Sequence, residues 1–117
     1  MSEPVPNALA NLQRLAQGDP TVLSFVRPAI ESSFKESGLD PKTFMLVRIA
    51  ALAALDAAPA SWLMNIQASG EAGLDPEMIL GTLIAVLPVI GTAHLVSAAS
   101  HIMKAFELAA TLAESGA

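Results

Sequence analysis

The sequence contains no cysteine and no tyrosine, and aromatic residues make up only 4% of its 117 residues. Without cysteine the chain can form no disulfide, no thiolate metal site and no thiol redox centre. Without tyrosine it has no phenolic acid or base. Charged residues are also scarce, at 15%, against about 25% in an average soluble domain. Six basic residues and a net charge of −5 cannot build a phosphate-binding face, so we expect no nucleic-acid partner.

Hydrophobic residues, by contrast, make up 53% of the chain. A folded monomer of this mass exposes roughly 6,000 Å², and a single small core cannot hide so many apolar side chains. A membrane, a protein interface or an internal pocket could take up the excess. The segment Met78 to Met103 carries no charge, but glycine, proline, serine and histidine interrupt it. We therefore predict no membrane span and a homo-oligomer.

The start of the chain, Met1-Ser2-Glu3-Pro4, is acidic and contains proline. A secretory signal begins with basic residues and continues with an apolar run. We therefore expect a cytoplasmic location.

The composition favours helices, because alanine and leucine dominate and no segment alternates with a period of two. The junctions Gly18-Asp-Pro20, Gly38-Leu-Asp-Pro41 and Gly73-Leu-Asp-Pro76 are typical of one helix ending and the next beginning. We predict a single all-α domain over residues 1–117. Its six helices are predicted near 5–17, 20–37, 41–56, 59–72, 76–88 and 91–114. Pro28 falls inside the second predicted helix and is expected to kink or split it near Arg27.

Residues 40–109 carry a pattern of apolar helices and fixed landmarks. The landmarks are Ile49-Ala-Ala-Leu-Ala-Ala-Leu55, Trp62, Asn65, Ala72-Gly-Leu74, Asp75-Pro-Glu77, Pro88 and Gly91. This pattern resembles the carboxymuconolactone decarboxylase family, which includes the alkylhydroperoxidase D-like proteins. The resemblance implies an alkylhydroperoxidase D-like helical bundle that assembles as a trimer or hexamer. It places residues 5–37 in N-terminal helices outside the family-like region.

The redox branch of that family carries a glutamate, a Cys-x-x-Cys pair and a histidine. Carried onto this sequence, those positions fall near Leu46 and on Ala58, Ser61 and Asn65. The lactone decarboxylase branch resembles the redox branch in having a histidine where this chain has Asn65. An amide neither gains nor loses a proton near pH 7. The resemblance therefore implies a member that lacks the catalytic cysteines and histidine and is not a thiol peroxidase.

Arg48 and His94 are the two candidates for charge or proton chemistry within the apolar helices. Arg48 could clamp a carboxylate, or it could extend to solvent or pair with a carboxylate of a neighbouring subunit. His94 could act as an acid or base, or it could be a hydrogen-bonded core or interface residue. His94 and His101 are seven residues apart, about 10 Å along a helix, which is too far to share a metal. We expect no metal site.

Ser61, Trp62 and Asn65 form a polar and aromatic patch in the first turns of the helix predicted from Pro59. The helix start offers free N–H groups and a positive dipole end. We predict a pocket lined by these three residues, with Arg48 or His94 at its edge, for a small anionic or carbonyl-bearing molecule. The alternative is that Ser61 bonds backbone groups and that Trp62 packs in the core or an interface.

Two hypotheses of function follow. The first is a non-redox family member with a degenerate active site, serving as a structural or small-molecule-binding homo-oligomer. The second is an enzyme acting on a small organic acid or lactone, decarboxylase- or isomerase-like, that uses His94 or Arg48 in place of the missing histidine. The sequence contains no phosphate loop and no dinucleotide fingerprint, so we expect no cofactor.

Overall fold

A computed structural model describes residues 4–19, 24 and 26–114, with the side chains of 7–19, 24, 26–111 and 114. This part of the chain is all-α. Its six helices are α1 Pro4–Gln17, α2 Arg27–Ser37, α3 Pro41–Leu55, α4 Pro59–Glu71, α5 Pro76–Ile90 and α6 Thr92–Glu114. The predicted all-α class and the six helices are confirmed.

Two helix ends differ from the prediction by more than one residue, and both involve proline. Helix α2 begins at Arg27, near which Pro28 was expected to kink or split the predicted helix, so Pro28 lies in its first turn, where a missing N–H costs nothing. Residues 20–23 and 25 of that prediction lie outside the described residues. The fifth helix does not end at Pro88 but continues to Ile90. The N–H of Gly91 still donates to the Leu87 carbonyl at 2.9 Å, so a proline in the last turn does not stop the helix.

Two of the predicted junctions are N-caps of the same design. The Oδ1 atom of Asp40 accepts from the Thr43 N–H at 2.8 Å, and the Oδ1 atom of Asp75 accepts from the Met78 N–H at 2.9 Å. Each aspartate is followed by a proline at the first helical position, whose missing N–H would have had no partner there. The junctions predicted at 38–41 and 73–76 are therefore confirmed as cap structures, while Pro20 of the junction at 18–20 lies outside the described residues.

The chain divides into two compact units, residues 1–38 and 39–117. The first unit holds α1 and α2, and α2 has no buried residue. In the second unit, α3 to α6 pack around one core, with α4 against α6, α3 against α5, and smaller contacts of α3 and α5 with the other helices. The core consists of small and branched apolar residues around one indole: Ile49, Ala53, Trp62, Ile66, Ile79, Leu83, Ala98, Ile102 and Ala105.

The cap at the start of α3 makes the stability of the fold depend on pH. Hydrogen bonds from the backbone N–H and the hydroxyl of Thr43 hold the pKa of Asp40 below its ordinary value of 3.8. A carboxyl whose pKa is lower in the folded chain stabilises the fold above the unfolded pKa, and this is lost as the pH falls through the folded pKa. We expect Asp40→Asn to lower the free energy of unfolding at neutral pH. The difference from wild type should shrink below pH 3.8. Denaturant unfolding followed by circular dichroism measures it, and a difference that stays constant into acid would contradict the prediction.

Candidate functional site

The site is built on the first two turns of α4. Ala58 is the N-cap residue and supplies no side-chain cap, but its carbonyl accepts from the N–H groups of Ser61 and Trp62 at 3.0 and 3.3 Å. Ser61 therefore lies in the first turn, as predicted. One turn later, Asn65 lies on the buried face of the helix with 7% of its surface exposed.

Arg48 of α3 reaches this face of α4. Its Nε atom donates to the Oδ1 atom of Asn65 at 3.0 Å, and its Cζ atom lies 5.5 Å from the centroid of the Phe44 ring. An amide acceptor on one side and an aromatic face on the other hold the guanidinium in place. Within the described part of the chain, no hydrogen bond or ion pair engages the two terminal nitrogens of Arg48.

Asn65 is fixed at each end of its amide. Its Nδ2 atom donates to the Ser61 carbonyl at 2.8 Å, while its Oδ1 atom accepts from Arg48. Its backbone carbonyl accepts from the Ser69 hydroxyl at 2.6 Å. The amide orientation follows from these partners, because only oxygen can accept from a guanidinium and only nitrogen can donate to a carbonyl. The Asn65 amide is therefore already oriented by α4 so that its oxygen can accept a hydrogen bond from Arg48.

Of the other predicted site residues, Ser61 takes part in the Arg48–Asn65 contact through its backbone, whereas Trp62 and His94 take no part in it. Ser61 contributes its backbone carbonyl and not its hydroxyl. Trp62 is completely buried in the core, as the packing alternative proposed. His94 is half-buried in α6, and in the described chain no hydrogen bond joins it to Arg48 or Asn65. The pocket predicted from these residues stays a prediction.

Two residues that support the site were not predicted from the sequence. Phe44 precedes Arg48 by four residues, and Ser69 follows Asn65 by four. Side chains four residues apart are neighbours on a helix. This spacing is the signal that could have found both.

A separate contact ties the end of α3 to α6. Asp56 ends α3 with a left-handed backbone, φ 52°, and its Oδ1 atom accepts from the Ser97 hydroxyl at 2.6 Å. Because Asp56 lies three residues before Pro59, this bond helps to fix the turn from which α4 starts.

The described residues hold no group of three or more histidines and carboxylates that could bind a metal ion. None of their helices is long and apolar enough to cross a membrane.

Comparison with known proteins gives the family. The second unit is a cysteine-free helical bundle with an arginine–asparagine pair at its candidate site. The model of the carboxymuconolactone decarboxylase family matches residues 20–107, about three quarters of the chain. The chain belongs to this family. The match begins earlier than the landmarks near residue 40 and ends two residues before 109. Neither a search of curated proteins nor a search of solved structures gave a match.

The Arg48–Asn65 hydrogen bond should be measurable as a coupling energy. A hydrogen bond to a charged group contributes about 1.5 kcal/mol or more. We expect a double-mutant cycle of Arg48→Met and Asn65→Leu to give a coupling of about that size in denaturant unfolding. Pairing Asn65→Leu with Lys104→Met, which removes an exposed cation of α6, should give a coupling near zero. Equal couplings in the two cycles would show that Arg48 and Asn65 do not act as a pair.

Proposed function

We propose that this protein is a non-redox family member whose degenerate active site binds a small carboxylate, within a homo-oligomer. One observation carries the proposal. The Nε atom of Arg48 is held by the buried amide of Asn65, and the described chain leaves the two terminal nitrogens of the guanidinium unengaged. A guanidinium already fixed in place loses less side-chain freedom when it binds.

The hydrogen-bonding capacity at this contact favours an anion over a neutral carbonyl compound. The guanidinium has N–H donors only. The Oδ1 acceptor of Asn65 is already used by Arg48. A carboxylate accepts two parallel hydrogen bonds from the planar guanidinium fork, and the charges add to the attraction. A neutral carbonyl would accept fewer bonds and gain no charge pairing.

We describe the site as degenerate because the side chains at the positions that correspond to the family's catalytic residues cannot perform the same chemistry. Leu46, Ala58, Ser61 and Asn65 stand where the redox branch places its glutamate, cysteines and histidine. None of these four side chains exchanges a proton near pH 7. His94 could replace the lost histidine only if it met the substrate beside Arg48, and no described contact brings it there. We therefore favour binding over the alternative of an enzyme acting on an organic acid or lactone.

The proposed assembly rests on apolar residues at the surface of the second unit. Eight large apolar side chains are between 44% and 85% exposed: Val47, Leu55, Leu80, Ile84, Val89, Val96, Met103 and Leu108. Six of them lie on α5 and α6, where charged residues are absent from 78 to 103. Exposed apolar side chains that gather into one patch mark an interaction site, and we infer that those of α5 and α6 do so. The family resemblance suggests a trimer or hexamer, and the cytoplasmic location stays a prediction.

Substituting Arg48 should weaken the binding of a small carboxylate. We expect the Asn65 side-chain amide resonances to shift when acetate, propionate or succinate is added to the wild-type protein. Arg48→Met should weaken the binding on the order of tenfold or more, because it removes a charged bidentate partner. Lys104→Met removes one exposed cation and should bind like wild type. Equal affinity in Arg48→Met and Lys104→Met, or no shift at Asn65, would contradict the proposal.

The assembly can be tested independently. Sedimentation equilibrium at micromolar concentration should give a mass that is a multiple of 12.1 kDa. Ile84→Glu, at an exposed position of α5, should lower that mass because a charge would be buried in the interface. Gln67→Glu, at an exposed position of α4, is the matched control and should leave it unchanged. A 12.1 kDa wild-type species would rule out the oligomer.

A further inference from the structure

Gly81 lies in the middle of α5, a position where glycine is unfavourable. In a helix interior glycine is about fivefold less favourable than alanine in the folding equilibrium. A Cβ atom at position 81 would meet no atom of the described residues within 4 Å. The backbone of Gly81 is helical and has no positive φ that would require a glycine. The described part of the chain therefore gives no reason for the missing side chain.

The other helical glycine with open space around it, Gly70, has different surroundings. It lies in the last turn of α4, and its carbonyl accepts from the N–H of Gly73 at 3.1 Å. Its neighbours on the helix surface include Gln67 and Glu71, which are polar and exposed. Gly70 thus belongs to a polar helix end, whereas Gly81 does not.

The outward face of α5 around Gly81 is apolar. Leu80 and Ile84 are 57% and 58% exposed, whereas the buried residues of α5 belong to the core. Ile84 follows Gly81 by three residues, so the two are neighbours on the helix surface. Glu77 is the last charged residue before the uncharged stretch 78–103. This face therefore carries a gap at Gly81 directly beside a projecting Ile84, with a charge at one end.

A surface with a gap and a projecting side chain one turn apart can fit a second copy of itself. A contact about a twofold axis joins the same patch of both subunits, so the patch must be complementary to itself. If two α5 helices cross antiparallel, Ile84 of each copy enters the gap at Gly81 of the other. The two Glu77 carboxylates then lie at opposite ends of the contact, on the order of 15 Å apart along the helices. A parallel pair would bring these like charges side by side, which is unfavourable.

We propose that the outward face of α5 is where two copies of this chain meet, antiparallel about a twofold axis, with the backbones closest at Gly81. Glycine allows such an approach because it has no Cβ. The inference rests on the proposed homo-oligomer and adds to it the face, the partner helix and the symmetry. A dimer and a hexamer of paired trimers contain such an axis, whereas a trimer alone does not.

Two matched glycine substitutions test the close approach. Gly81→Ala should weaken self-association on the order of tenfold or more in sedimentation equilibrium, because an added methyl group at each of two symmetric positions separates the backbones. Gly70→Ala makes the same change in α4 and should associate like wild type. Equal association of the two variants would overturn the proposal.

The stability of the dissociated chain shows whether Gly81→Ala acts through the contact or through the fold. At concentrations where the wild type is dissociated, both alanine variants should unfold at a higher urea concentration than wild type, because alanine favours the helix. Gly81→Ala should therefore stabilise the single chain and weaken the assembly. A Gly81→Ala chain that is less stable than wild type would overturn the proposal.

A measurement on the unsubstituted protein tests the partner helix. In a mixture of ¹³C-labelled and unlabelled chains, an isotope-filtered NOE spectrum reports contacts between copies only. We expect a cross-peak between an Ile84 methyl group and the α protons of Gly81. Contacts between copies that involve α6 but not α5 would overturn this inference and leave the proposed homo-oligomer intact. A wild-type monomer would overturn both.

Discussion

Burial of one face of α4 between α3 and α6 is the constraint on which the second unit depends. This face carries Trp62, Asn65, Ile66 and Ser69, so two polar side chains enter the core together with two large apolar ones. Burying an amide and a hydroxyl is unfavourable unless both are hydrogen-bonded. Here the helix supplies the partners itself, because Asn65 donates to the carbonyl four residues back and Ser69 does the same to Asn65. The amide oxygen of Asn65 is left for another helix, and it accepts from the Nε atom of Arg48.

Local chemistry explains which parts of the fold the sequence could predict. An aspartate cap, a proline at the first helical position and a glycine before them act within one turn, so Asp40 and Asp75 identify their helix starts without knowledge of the packing. Proline is less decisive, since it fits the first turn of a helix and is tolerated in the last. Pro28 therefore lies in the first turn of α2, which begins at Arg27 where a kink or split was expected, and Pro88 lies inside α5 where an end was expected.

The sequence singles out Arg48 and Asn65 as candidate residues but does not predict that they contact each other. Arg48 and Asn65 stand out as polar residues on apolar helices, but they are 17 positions apart on separate helices. Whether they meet depends on how α3 and α4 cross, which no local pattern encodes. The same limit applies to Ser61, whose carbonyl accepts from the Asn65 amide, a contact that its predicted place in the pocket did not include. The spacing of four residues does recover Phe44 and Ser69, because their contacts lie within a single helix.

The asparagine at position 65 and the arginine at position 48 are best understood as one change of chemistry. A histidine at position 65 would carry a positive charge in part of the molecules near neutral pH, and in that form it could only donate and would repel a guanidinium. An asparagine accepts from Arg48 in every ionisation state of the protein, because its amide does not titrate. In the proposed function, an asparagine in place of that histidine removes proton transfer from the site, while its hydrogen bonds hold a permanent positive charge in a fixed orientation. A position that the resemblance assigns to proton chemistry thereby becomes, in the proposed function, a support for charge recognition.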